Sequence, residues 1–532
     1  MSLKVERLRL QGPALCSALL EDFQCVADYY VAGPPNELGS YLRLAQRIRD
    51  EYPESRWTAL RAALPQADAS LAARLEDLIA QRGLFVSTGQ QAGLFLGPLF
   101  TVYKALTAAR LASQLEEQLD FPVIPLFSIA SEDHDWEEVA HTFIVDLENQ
   151  LVRLSVQGPG PDDPHPPVER VRVGADIEQA LAKLVQSTPN TEFKVDVLTA
   201  LREAYRPGRS FPEAFEVALG HLLRRLTVFL IRTAHPYVKD VTREVLWAEW
   251  EKREESEARL LERTEALKAA GFEAQVSVVE GATNIFMEGR MGRDRLLWDE
   301  TGARLRRSGE PLTEEELQLI LEDAPQRVSP GALLRPVTEA RAFPVVAYVG
   351  GPGEIAYLAQ SQVLFELHRI PAPVVVPRAA FRLIEAKISR VLEKYDLEPD
   401  DLAGDPGQVI NRLLKEQTPH ALRRSLEALR GSVAATLRQV ESAALDSDPG
   451  SKSALGSGAK AIFESIEALE AKLEARVRDK HGVMRQQLEK AATNLYPSGQ
   501  LQERVLNLYP YLVRYGESLL DELYASVVTP LE

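Results

Sequence analysis

Leu84-Phe85-Val86-Ser87-Thr88-Gly89-Gln90-Gln91-Ala92-Gly93-Leu94-Phe95-Leu96-Gly97-Pro98 decides the fold of this chain. Leu84–Ser87 is a short apolar run, read as a buried strand. A glycine-rich turn follows, and beyond Pro98 the residues Leu99, Val102, Tyr103, Leu106, Ala109, Leu111 and Leu115 recur at helical spacing. Proline suits a first helical turn, where its missing N–H is not needed. Val123-Ile124-Pro125-Leu126-Phe127-Ser128-Ile129-Ala130 is a second apolar strand, so the segment predicts a parallel β–α–β unit with a right-handed crossover.

The same grammar returns late in the chain. Val345–Val349 is an apolar run, Gly350-Gly351-Pro352-Gly353-Glu354 is a turn, and a helical pattern covers Glu354–His368. Strand Val374–Val376 and a helix over Phe381–Leu392 complete the pattern. Such turns let backbone N–H groups approach a ligand, with a helix N-terminus supplying partial positive charge. In an open parallel sheet both turns fall on the carboxyl-end rim, where ligands bind.

Between them, residues 140–330 read as inserted material. They hold alternating stretches at Phe143–Val156, a Pro-rich loop at Gly158–Pro167, a helical run over Val241–Ala270 and a hairpin of Asn284–Met287 with Arg295–Trp298. A core strand at Val228–Ile231 threads through the insertion. Near the start, Ala59–Ile79 is helical with a break at Pro65. From about 400 to 495 the period changes. Leu422, Leu426, Leu429, Val433, Val440 and Ala444, then Ile462, Ile466, Leu469, Leu473, Val477, Met484, Leu488 and Ala491, trace two arms of a coiled coil. The reversal falls in Asp446–Ser451 and Gly456-Ser457-Gly458.

The expected organisation is therefore a first core segment at 1–140, insertions at 141–335 with a core element near 227–240, and a second core segment at 336–395. An antiparallel coiled-coil hairpin at 396–495 and a tail at 496–532 that packs back on the core complete it.

The chain has 532 residues, 45% hydrophobic and 26% charged, with a formal net charge of -17. That acidity speaks against nucleic acid as a partner, which needs a basic face. No apolar run reaches the ~20 residues of a membrane span, and no signal peptide is legible, so a cytoplasmic protein is expected. Cys16 and Cys25 are too few for a disulfide framework and have no zinc spacing. Both are expected to be reduced and buried.

The second strand runs into Ser131-Glu132-Asp133-His134-Asp135-Trp136-Glu137-Glu138-Val139-Ala140-His141. Acids around a histidine at a strand's carboxyl end can hold Mg²⁺, tune a general base or bind an amine. Asp133, His134 and Asp135 are the catalytic candidates, with Asp133 and Asp135 the pair for Mg²⁺. In the first turn Gln90 and Gln91 offer hydrogen bonds, Thr88 an oxyanion contact, Gly89, Gly93 and Gly97 close backbone approach, and Lys104 a phosphate contact. Arg335 and Arg378 are candidate anion forks. Neither turn carries a Walker lysine or the G-x-G-x-x-G fingerprint.

Four segments together resemble the bacillithiol-biosynthesis cysteine-adding enzymes, a family of cysteine ligases. They are Thr88–Phe95 with Gly97-Pro98, Ser131–Asp135, Tyr348–Tyr357 and Leu501–Arg504. They occur in family order and span nearly the whole chain. The resemblance implies an α/β fold: a Rossmann-like, nucleotidyl-transferase-type parallel sheet with connecting-peptide insertions, plus a C-terminal antiparallel coiled coil that makes a homodimer. It implies addition of L-cysteine to glucosaminyl-malate, with ATP or another nucleotide activating the cysteine carboxylate and Mg²⁺ as a candidate ion. No zinc site is expected. Ser131, Glu132, Tyr348, Gly350, Gly351, Glu354 and Arg378 join Thr88, Gln90 and Gln91 as substrate-binding candidates. Gly89, Gly93, Gly97, Lys104 and Gly353 are the phosphate-binding ones. A second pocket is expected near Gln502, Arg504 and Asn507. Where related adenylate-forming cores carry an H-x-G-H-like turn, this chain has Thr88-Gly89-Gln90-Gln91. The rival readings are a coiled-coil scaffold with a degenerate nucleotide-binding domain, or a ligase for another amine.

Overall fold

A computed structural model describes residues 3–64, 68–160, 163–299, 302–417, 420–447 and 452–532. The chain forms two compact units, Met1–Leu383 with Gln502–Glu532, and Ile384–Leu501. The expected break at Pro65 and the reversal at 448–451 lie outside the described residues, as do the side chains of Leu422 and Val477.

The first unit is built on a five-stranded sheet: β1 Leu84–Gln90, β2 Val123–Ile129, β3 Phe229–Arg232, β4 Val345–Gly350 and β5 Val374–Pro377. Their order across the sheet is β5-β4-β1-β2-β3, and every neighbouring pair is parallel. Strands buried on both faces read as continuous apolar runs, which is why these five were legible. The chain leaves β1 toward β2 and β3 on one side, then returns to place β4 on the other. This reversal makes the gap between the carboxyl ends of β1 and β4 a topological switch point.

Three helices frame that gap. Helix α1, Phe100–Leu119, crosses from β1 to β2 and is buried over most of its length. Helix α2, Arg335–Ala342, feeds β4, and α3, Pro352–Leu367, leaves it. The inserted region contributes a five-stranded antiparallel sheet with the expected hairpin, Ala282–Gly289 against Gly292–Asp299. A smaller hairpin pairs His141–Val145 with Leu151–Ser155.

Several expectations are corrected. Gly89 and Gln90 do not turn; they end β1, with Gly89 opposite Ser128. A Cβ on Gly89 would lie 2.6 Å from the Ser128 carbonyl oxygen, so the close strand approach requires glycine. Phe381 lies in a strand, Ala380–Glu385, with helix Ala386–Tyr395 only after it. The strand pairs with Leu3–Leu8, which gives its backbone partners that a lone helix start would not need. The Val241–Ala270 run is two helices, Pro236–Glu251 and Arg253–Ala269, separated at Lys252. Cys25 is exposed, unlike the buried Cys16, and both are free.

The second unit is helical. Helix α4, Ala386–Tyr395, packs Ile388, Val391 and Leu392 against Leu488, Ala491 and Leu495 at the base of the longest helix. The two arms are α5, His420–Ser447, and α6, Lys452–Leu495. Gly456-Ser457-Gly458 is inside α6 rather than in the reversal. Leu426, Val433 and Ile466 turn away from solvent, while Arg430 pairs with Glu467 across the arms at 2.6 Å. Among the described residues no helix is long and apolar enough to cross a membrane.

The tail is part of the first unit from Gln502 onward, whereas 496–501 belong to the helical unit. Gln502 exchanges hydrogen bonds with the Leu383 backbone, and Asn507 is 1% exposed. The Asn507 amide donates to the Phe95 and Gly97 carbonyls at 2.8 and 2.9 Å and to Thr142 Oγ1 at 3.2 Å. Phe95 and Leu96 have φ of 51° and 71°, conformations costly for side-chain-bearing residues. Asn507 supplies the donors that hold this strained loop. Asn507→Ala is expected to destabilise the first unit by about 2–4 kcal/mol, measured as a lowered urea midpoint at unchanged m-value. An unchanged midpoint would show that the loop is held by other means.

Candidate functional site

A cavity of about 490 Å³ opens at the switch point. The ends of β1, β2 and β4 form its floor, and α1, α2 and the start of α3 form its sides. Gly89, Gln90, Gln91, Gly351, Gly353 and Asp133 all line it, so the two distant turns and the acidic segment converge on one space.

Lys104 ties the turns together. It is 2% exposed, and its Nζ donates to the Gly89 carbonyl at 2.6 Å and to Gln90 Oε1 at 2.9 Å while pairing with Glu354. The Glu354 carboxylate also accepts from the Gly351 N–H at 2.8 Å and from the Tyr348 hydroxyl at 2.8 Å. Burial lowers the Lys104 pKa from its ordinary value, and the facing Glu354 opposes that shift. Lys104 is thus spent on holding the floor of the site.

Arg378 follows β5 and is 4% exposed. Its two terminal nitrogens form a bidentate pair with Glu503 at 2.9 and 2.7 Å, which anchors the tail beside the cavity. Its Nε is buried and has no hydrogen-bond partner. A Cβ placed on Gly351 would lie 3.7 Å from that nitrogen, so the free donor faces the start of α3. Arg504 also lines the cavity. An unfilled guanidinium donor beside a helix N-terminus suits an anionic group.

The acidic segment is held from several sides. The Asp133 carboxylate accepts from Gln91 Nε2 at 2.9 Å and from the His134 backbone N–H at 2.8 Å. Arg335 and Arg293 each approach it to 3.7 Å. Burial opposes its ionisation, but the His134 hydrogen bond and the two arginines outweigh burial and hold its carboxyl well below the usual range. His134 Nδ1 lies 3.3 Å from Arg293 Nη1, and Arg293 stacks over the Phe286 ring at 4.0 Å. Burial pushes Arg293 down to about 10, against the attraction of Asp133.

Other predicted residues stand behind the wall. Thr88 donates to the Val349 carbonyl at 2.7 Å, cross-linking β1 and β4. Glu132 pairs with buried Lys239, and Ser131 accepts from the Ala234 N–H at 3.0 Å. Gly93 and Gly97 pack against each other; the Gly93 carbonyl accepts from Tyr205 and that of Gly97 from Asn507. Gly350 ends β4 opposite Pro377. Asp135 is the N-cap of the short helix Trp136–Val139, accepting from the Glu138 N–H at 3.2 Å. Asp133, the other half of the expected Mg²⁺ pair, accepts its own hydrogen bonds from Gln91 and the His134 N–H. Among the described residues no cluster of three or more His, Cys, Asp or Glu side chains is placed to hold a metal. Gln502 and Asn507 are buried connectors, while Arg504 lines the main cavity.

Two cavity carboxyls escape a residue-by-residue reading of the sequence: Glu138 and Glu339. Asp135 as N-cap sets the phase of its helix, turning Glu137 out to Arg153 at 2.5 Å and leaving Glu138 on the cavity wall. Glu339 lies four residues after Arg335, on the same face of α2. It accepts hydrogen bonds from the hydroxyls of Ser87 and Ser128. Burial pushes the Glu339 carboxyl up to about 7, against those hydroxyls. Burial, then Asp135 and Asp133, also raise Glu138.

The wall thus alternates cationic, anionic and backbone donor groups around a small volume, a pattern suited to amphoteric small molecules. Comparison with known proteins is consistent with this. A family model described as "Bacillithiol biosynthesis BshC, N-terminal Rossmann-like domain" matches residues 3–379, and "Bacillithiol biosynthesis BshC, C-terminal coiled-coil domain" matches 381–529. A relative from Salinibacter ruber, named "Putative cysteine ligase BshC", is 33% identical over 522 residues, covering 94% of this chain and 92% of its own length. Relatives of the same name from Chlorobaculum tepidum and Geobacillus kaustophilus are 32% and 29% identical, covering 84% and 88% of this chain and 82% and 86% of their own lengths.

The Glu339 carboxyl also makes stability depend on pH. Its folded-state pKa, about 7, exceeds the ordinary 4.5. Between those values the folded chain binds the extra proton, so this site's contribution falls as pH rises and is flat above 7. Urea unfolding of Glu339→Gln beside wild type is expected to show the variant gaining up to about 3 kcal/mol relative to wild type from pH 4.5 to 7.5. A difference independent of pH would show that Glu339 titrates normally.

Proposed function

The chain belongs to the BshC family of bacillithiol biosynthesis, both of whose domain models it fills, and on that premise we propose that it joins the carboxyl of L-cysteine to the amine of glucosaminyl-malate. The observation that carries this reading is the convergence of both turns and the acidic segment on one cavity with charged groups of both signs. Cysteine and glucosaminyl-malate each bring carboxylate and amine, and a site for them needs donors and acceptors side by side.

A carboxylate resists attack by an amine until an oxygen becomes a good leaving group. We assign that activation to a nucleotide: a carboxylate oxygen of cysteine bonds to a phosphorus of the triphosphate as the phosphorus–oxygen bond to the leaving nucleoside diphosphate or pyrophosphate breaks. The unpartnered Arg378 Nε and the N–H groups that open α3 suit the transferred phosphate. The amine nitrogen then bonds to the carbonyl carbon, and the carbon–oxygen bond to the phosphate breaks. Arg335 on the opposite wall suits a malate carboxylate. Asp133 holds Gln91 and Arg335 in position. A cytoplasmic setting, where these metabolites are made, goes with this role.

The homodimer reading rests on the helical unit. Leu429 and Val440 on α5 and Ile462 and Leu469 on α6 are each more than 40% exposed. Their spacings of eleven and seven residues keep each pair on one helix face, as an apolar line for a second copy would. Leu469→Glu with Ile462→Glu is expected to convert a dimer to a monomer by analytical ultracentrifugation; wild-type monomer at micromolar concentration would refute this.

Purified protein given cysteine, glucosaminyl-malate and a nucleotide is expected to yield bacillithiol by mass spectrometry. Asp133→Asn should lower the rate by about 10²-fold or more at unchanged fold, by loss of the charge that orders the site. Full activity in that variant would remove Asp133 from the site.

A further inference from the structure

Four carboxylates around the cavity are committed to partners in the protein. Asp133 serves Gln91, the His134 backbone and two arginines. Glu354 serves Lys104, Tyr348 and Gly351. Glu339 is covered by two serine hydroxyls, and Glu503 holds Arg378. Glu138 differs. It lines the cavity, its one side-chain neighbour by hydrogen bond is the Gln91 amide, and no ion pair to it forms among the described residues.

Gln91 is unusual at the same place. Its Nε2 donates to Asp133, while its Oε1 is shielded from solvent and receives no donor. Buried acceptors are nearly always satisfied, so an orphan at a cavity wall points to a missing donor. An acceptor without a donor therefore adjoins a carboxylate without a cation. A primary ammonium group, with one positive charge and three N–H donors, complements both.

We propose that Glu138 and Gln91 Oε1 form the seat of the attacking amine, and that Glu138 is the base that takes its proton. The inference rests on the ligase reading above. In the step, the Glu138 carboxylate removes one proton from the ammonium, freeing the nitrogen lone pair. That pair forms the nitrogen–carbon bond to the activated acyl group, the carbon–oxygen bond to phosphate or nucleotide breaks, and the second nitrogen proton passes to solvent. Burial, then Asp135 and Asp133, raise the Glu138 carboxyl above its ordinary value, while Gln91 and Arg335 act in the opposite sense. Lys104, the other nearby cation, is occupied by Glu354.

The test uses the full-length protein and two probes, glucosaminyl-malate and its N-acetylated form, which lacks the ammonium. By calorimetry, wild type is expected to bind the free amine at least about 10-fold more tightly, the worth of one charge-assisted hydrogen bond. Glu138→Gln, with unchanged thermal stability, should lose most of that preference. In the ligation assay the variant should lose about 10²-fold or more in kcat with KM for cysteine unchanged, and should lack the acid limb of the wild-type pH profile. Equal binding of both probes by wild type, or a Glu138→Gln variant with wild-type kcat and pH profile, overturns the assignment of Glu138 alone. Wild type that binds neither probe and makes no product overturns the ligase reading together with it.

Discussion

Lys104 is the pin on which the site depends. One buried ammonium holds the end of β1 through Gly89 and Gln90 and the start of α3 through Glu354, across the gap where the sheet reverses its winding. A switch point is intrinsically open, because the helices after its two strands diverge to opposite faces. Without a clasp, the two turns would have no fixed spacing. The clasp has to be charged and buried together, since removing one partner of such a pair strands the other and costs about 3–5 kcal/mol. That couples integrity of the cavity floor to integrity of the fold.

The tail extends the same logic. Glu503 engages Arg378 with both oxygens, leaving only Nε free, while Asn507 fixes the strained loop between Gly93 and Gly97. Residues more than a hundred positions beyond β5 thus set the wall and the loop behind it. The excursion from Ile384 to Leu501 is a separate helical unit.

The cavity carboxyls show how environment divides labour among identical groups. Asp133 sits among arginines and stays charged. Glu339 is buried deeply enough that the Ser87 and Ser128 hydroxyls and Arg335 do not offset burial, and it holds its proton to near neutrality. Glu138 lies beside other acids, raised yet uncommitted. Pairs of acids pushed in opposite directions are the usual basis for separating binding from proton transfer.

The five core strands, the Gly350–Glu354 turn, the hairpin of the insertion and the two long helical arms were legible in the sequence, because each is a local period or composition that burial imposes on consecutive residues. Asp133, Gln91 and Arg378, candidates by residue type beside strand ends, and Arg335, a candidate before a core strand, line the cavity. Tertiary structure alone decided that Lys104 is a structural clasp, that Thr88, Ser131, Glu132, Gly93 and Gly97 stand behind the wall, and that Gln502 and Asn507 are connectors. It also brought forward Glu138 and Glu339 and made Phe381 a strand residue. The reason is physical. A period records which way a side chain faces relative to its own element, whereas its partner, its burial and hence its charge are set by elements that arrive from hundreds of residues away.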